Sequence, residues 1–99
     1  MAAGALRAAN ELGVRVPEDV AVVGFDDIGL ASLIQPQLTT VRQDMHGLGE
    51  AAANGLARMI ENPESPPARE LVPTRLVVRA SSGANGTPGA RALRTKEVR

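Results

Sequence analysis

An α/β fold built on an incomplete sheet is predicted by three observations. The run VAVVGF at 20–25 is apolar at consecutive positions. That marks a strand covered on both faces, as in a parallel sheet flanked by helices. Helix-like and strand-like segments alternate along the chain in the order α-β-α-β-α-β, the pattern of α/β domains. Finally, about three strands and three helices are too few to bury 20–25 on both sides, so 1–80 reads as the end of a larger domain.

Each element has its own signal. Residues 2–12 are alanine-rich, with Leu6, Ala9 and Leu12 on one side, and predict a helix stopped by Gly13. VRVPED is a connection in which Pro17 sets an extended approach. After the strand at 20–25, IGLASLI (28–34) predicts a short helix ended by Gln35 and Pro36. LTTVRQ (38–43) is β-branched and strand-like. Residues 45–62 predict the longest helix, with Met45, Leu48, Ala52, Leu56, Met59 and Ile60 near helical spacing. Asp44 is its N-cap candidate, and Asn62-Pro63 its stop. ELVPTRLVVRAS (70–81) predicts a strand that Pro73 interrupts or confines to an edge. The Gly-, Ala- and Arg-rich stretch 81–99 predicts a disordered basic tail.

Composition narrows the chemistry. Phe25 is the only aromatic residue, so the stacking platforms common in nucleic-acid and sugar sites are missing. There is no Cys, which excludes disulfides and Cys-ligated metals. His46 is the only histidine and reads as a surface residue without partners for a metal site. The net charge is zero, divided between an acidic body and a basic tail carrying Arg91, Arg94, Lys96 and Arg99. An acidic body is a poor footprint for DNA. No secretion signal and no membrane-length apolar run is visible. No phosphate loop, nucleophile elbow or other catalytic apparatus is present, so no enzyme is expected and no cofactor or metal is implied.

The chemistry that remains lies in VVGFDD (22–27). Neighbouring residues on a strand point to opposite faces, so Asp26 and Asp27 need separate roles. Ligands of open parallel sheets bind beyond the carboxyl ends of the strands. Asp26 is therefore assigned to a cleft, where an ionised carboxylate accepts hydrogen bonds from hydroxyls or N–H groups. Asp27 is assigned as the cap of the helix beginning at Ile28. The alternative is that both acids are cap and turn residues.

Taken together, VPEDV, VVGFDD, LTTVRQ and LVPTRLVVRAS closely resemble the C-terminal end of the lac-repressor/gal-repressor family, over about residues 1–80. The resemblance implies a partial Rossmann-like fold of the periplasmic-binding-protein type I kind. It implies a cytoplasmic transcription regulator that binds a small effector, a sugar or purine, between two lobes. Segments 1–43 and 74–80 would form one lobe and 44–73 the other. Asp26 would contact effector, with Gln43, Met45 and Leu48 near the inter-lobe crossing and pocket floor. Leu6, Arg7, Leu33 and Ile34 fall where the family dimerises, although the apolar ones could equally be core. Operator DNA would be read by a helix-turn-helix that this chain lacks, so the chain alone is expected neither to bind operator nor to hold effector well. Two alternatives stand beside this reading: a piece of a periplasmic sugar-binding protein, and a free-standing module that associates with an intact regulator.

Overall fold

The computed structural model describes residues 1–67 and 69–84. Helix α1 (Ala2–Glu11) leads to strand β1 (Val23–Phe25), a 3-10 turn (Gly29–Ser32) and strand β2 (Thr39–Gln43). Helix α2 (Met45–Glu61), strand β3 (Thr74–Val77) and a second 3-10 turn (Ala80–Ser82) follow.

The sheet has the order β1-β2-β3. β1 and β2 are parallel, with Val23 opposite Thr39 and Phe25 opposite Val41. β3 is antiparallel to β2, with Arg42 opposite Arg75 and Gln43 opposite Thr74. The parallel pair puts the carboxyl ends of β1 and β2 at one edge, where VVGFDD ends.

Helix α1 closes as its sequence predicts. Gly13 takes φ +69, a left-handed conformation that glycine adopts without penalty. The Gly13 and Val14 amides donate back to the Asn10 and Ala9 carbonyls, a Schellman closure of the last turn. Leu6 on its inner side joins Ala31 and Leu38 in a small core, with Ala2, Val16, Val22 and Ile34 packed around it. Gly24 lets this core close. A Cβ there would stand 2.8 Å from Leu38 Cδ2 and 3.3 Å from the Ala2 Cβ.

Three predicted elements are shorter than their sequence signals. The apolar run 20–25 pairs as a strand only over Val23–Phe25, and Val23 and Phe25 are 54% and 60% exposed. Val22 and Gly24 pack toward the small core, while Val20, Val23 and Phe25 are left uncovered by the described residues. The 28–34 helix is a single 3-10 turn, Gly29–Ser32. The 70–81 strand is confined to Thr74–Val77, beginning just after Pro73.

The tail assigned to 81–99 begins too early. Ser81 is fully buried, and its hydroxyl donates to the Val22 carbonyl while accepting from the Thr39 amide. Its backbone N–H donates to Gln37, and its carbonyl accepts from Val22. Ser81 thus ties the β1 approach to β2. Residues 85–99 of the predicted tail lie outside the described residues.

Helix α2 starts and stops as predicted. The Asp44 Oδ1 accepts from the Gly47 amide at 2.9 Å, and Asn62 stands at the C-cap. No α2 residue is buried. Met45, Leu48, Leu56, Met59 and Ile60 are all exposed.

Candidate functional site: the carboxyl ends of the parallel strands

Beyond Phe25 the backbone leaves extended geometry abruptly. Asp26 takes φ +85 and Asp27 φ +44. Side chains other than glycine rarely adopt this region, and Asp is among the residues that tolerate it best. Both amides stay tied to β2: the Asp26 N–H donates to the Val41 carbonyl at 2.9 Å, and the Asp27 N–H to Thr40 Oγ1 at 3.2 Å.

The two carboxylates then part, as expected, but to different partners than the sequence suggests. Asp26 is exposed and accepts a hydrogen bond from the Gln43 side-chain amide. Asp27 is not a helix cap. The 3-10 turn starts at Gly29 with Ile28 in the cap position, and no side chain caps it. The Asp27 side chain is instead 4% exposed and lies between two arginines. Arg42 Nε donates to its Oδ2, and Arg79 Nη1 donates to its Oδ1 at 2.6 Å. Arg79 also reaches the Leu38 carbonyl at 2.8 Å. The hydrogen bond from Arg79, and then that from Arg42, hold the Asp27 carboxyl below the usual carboxylate range, against the opposing effect of burial.

Arg42, Arg79 and Thr40 escape a motif-based reading. For the two arginines the signal is a single cation inside each β-branched or apolar run, LTTVRQ and LVVRAS. A charge in such a strand calls for a buried partner, and Asp27 is that partner.

Gln43 links the acid pair to the crossing point of the chain. It lines a depression of about 860 Å3 together with Arg42, Asp44, Met45, Pro73, Thr74 and Arg75. It also lines a smaller hollow of about 210 Å3 with Asp44, Leu48, Glu70, Leu71 and Val72. The structure therefore brings Asp26 and Gln43 into contact and places Met45 and Leu48 in cavities that share Gln43. Asp26 lines neither hollow and meets them through Gln43.

The residues expected at a dimer surface divide. Leu6 is core rather than surface, because the inner face of α1 is where it packs. Ile34 packs against the same core. Arg7 is exposed and pairs with Glu11 at 2.9 Å, and Leu33 is exposed. His46 is exposed in the first turn of α2. Among the described residues no helix is long and apolar enough to cross a membrane, and no cluster of His, Cys, Asp and Glu could hold a metal.

The parallel strand pair, with polar side chains fanned across its carboxyl ends, is a piece of an α/β domain. The sequence profile of the periplasmic binding protein-like domain matches residues 1–82, and the chain belongs to that family. It is 42% identical over 82 residues to the ribose operon repressor of Halalkalibacterium halodurans, covering 83% of this chain and 25% of the relative. A LacI-family transcriptional regulator structure from Sanguibacter keddieii superposes with a TM-score of 0.77 at 41% identity, over 83% of this chain and 32% of that one. A LacI-family regulator from Enterococcus faecium with bound ribose gives a TM-score of 0.70 at 34% identity, over 80% and 30%. The relatives are regulators of transcription rather than enzymes. The chain spans about a quarter of the length of the curated relatives it matches.

Proposed function

We propose that this chain forms part of the effector-binding domain of a transcription regulator acting in the cytoplasm, and that the effector is a small polyhydroxylated molecule, a sugar. The observation that carries this is Asp26: an exposed carboxylate at the mouth of two parallel strands, held in a positive-φ turn and steadied by Gln43. An acceptor-only group in that place suits sugar hydroxyls. The ribose bound by the Enterococcus faecium relative supports the same ligand class.

In this reading 1–43 and 74–80 belong to one lobe and 44–73 to the other. The chain leaves the sheet at Gln43 and re-enters at Thr74, and these two residues are opposite each other in the register. Helix α2, lying between them in sequence, has no buried residue. Met45 and Leu48 contribute to the pocket floor from the α2 side. Arg7 and Leu33 serve a homodimer surface, and operator recognition belongs to a helix-turn-helix that is not among the described residues.

The test is calorimetric titration of the regulator carrying this segment with a panel of neutral sugars, ribose included. Asp26→Ala should weaken the best binder about tenfold or more, the value of a hydrogen bond to a charged group. It should leave melting nearly unchanged. Unaltered affinity would remove Asp26 from the site.

A further inference from the structure

We infer that Asp27 is a positioning residue, whose carboxylate, gripped by Arg42 and Arg79, holds the left-handed turn that presents Asp26 to ligand. The inference rests on the reading of Asp26 as a ligand contact.

The geometry of β2 makes the argument. Arg42 and Gln43 are neighbours on a strand, so their side chains leave on opposite faces. Arg42 grips Asp27 and Gln43 grips Asp26. Two adjacent residues of β2 thus hold two adjacent residues of the turn, one on each side of the sheet. An extended strand at 26–27 would also separate the two acids, but the chain here has two successive positive φ values. Two successive positive φ values outside glycine carry a cost even where aspartate tolerates the region best, and the turn persists where the surroundings enforce it. Two amide bonds tie the turn to Val41 and Thr40, and two guanidinium bonds anchor Asp27. The anchors come from β2 and from just beyond β3, so the turn is referenced to both other strands of the sheet. Arg79 is itself fixed: it is 14% exposed, and its backbone N–H donates to Thr39 Oγ1 at 2.7 Å. Asp26, by contrast, is exposed, and among the described residues its carboxylate accepts from the Gln43 amide alone.

An ion cluster that merely stabilises the fold would be expected to act on ligand binding independently of Asp26. A positioning device acts through Asp26, and a double-mutant cycle separates the two. The protein is the regulator carrying this segment, and the probe is ribose followed by the rest of the neutral-sugar panel. Asp27→Asn should weaken binding about tenfold in the parent sequence and have no further effect in the Asp26→Ala background. Equal losses in both backgrounds, or no loss in the parent, would overturn the inference. Should Asp27→Asn fail to fold, Arg42→Gln carries the same cycle, because Arg42 is 43% exposed and its loss is better tolerated. A ligand-free readout keeps this outcome apart from that of the proposed function. With 15N-glutamine labelling, the Gln43 side-chain amide protons should move toward solvent values in Asp27→Asn and in Arg42→Gln. Unmoved resonances refute the positioning role even if no sugar in the panel binds. An Asp26→Ala variant with normal affinity refutes the ligand assignment alone.

Discussion

At the scale of single residues, the acid pair shows what alternation along a strand reveals and what it conceals. Separate roles for Asp26 and Asp27 follow from alternation, and Asp26 at a strand end was legible for the same reason. The partners of Asp27 were not, because extended geometry stops at Phe25 and nothing in FDD announces two positive φ values. A cap would make Asp27→Ala a change of about 1 kcal/mol. A nearly buried carboxylate between two arginines makes it about 3–5 kcal/mol, since Arg79 is left partly buried and uncompensated. Urea unfolding of the regulator carrying this segment measures the difference. The pH dependence has a definite sign. The folded-state pKa of Asp27 lies below its unfolded value of about 3.9. Its stabilising contribution is therefore complete above about pH 4 and is lost as pH falls through the lower folded value. Acid titration of stability should show this loss in the parent sequence, and Asp27→Asn should lack it.

At the scale of elements, α1, α2 and β2 were readable nearly to the residue, whereas β1, β3 and the 28–34 segment were not. Helix signals are local: alanine content, Gly13 and the Asp44 cap all act within a turn of the residues they order. Strand signals report burial. VAVVGF is written for a sheet with cover on both faces, and only its last three residues find a partner here. The role of Gly24 was equally hidden, because it depends on Leu38 and Ala2 arriving from distant segments. Gly24→Ala should destabilise the domain by about 1–3 kcal/mol through overpacking against Leu38. A lowered midpoint with an unchanged denaturant slope would confirm it. Gly49 and Gly55, which face open space in α2, should tolerate alanine.

For the whole molecule, exposed apolar surface decides behaviour. Val20, Val23, Phe25, Ile28 and Leu30 are exposed near the free edge of β1, and Leu48, Leu56, Met59 and Ile60 along α2. The buried apolar core among the described residues is Leu6, Ala31 and Leu38. Each large apolar side chain is worth about 1.5–3 kcal/mol when fully buried, and a domain is stable by only about 5–15 kcal/mol. The 99-residue chain alone should therefore self-associate or remain partly unfolded. Sedimentation velocity across a concentration series should show mass increasing with concentration, and a sharp monomeric melt at high temperature would contradict this. The α/β class was legible because apolar runs and helical spacing survive in any piece of the fold. The extent of the sheet was not, because pairing depends on neighbours that a run of valines cannot name.

Ser81 carries a practical consequence for anyone shortening this polypeptide. It sits in a stretch that composition alone would discard as trailing sequence, yet it staples the entry of one strand to the start of another. A stop codon placed at Ala80 would delete both halves of that staple and leave the Val22 N–H and carbonyl and the Thr39 amide without their Ser81 partners. Trimming after Ala84 would leave it whole.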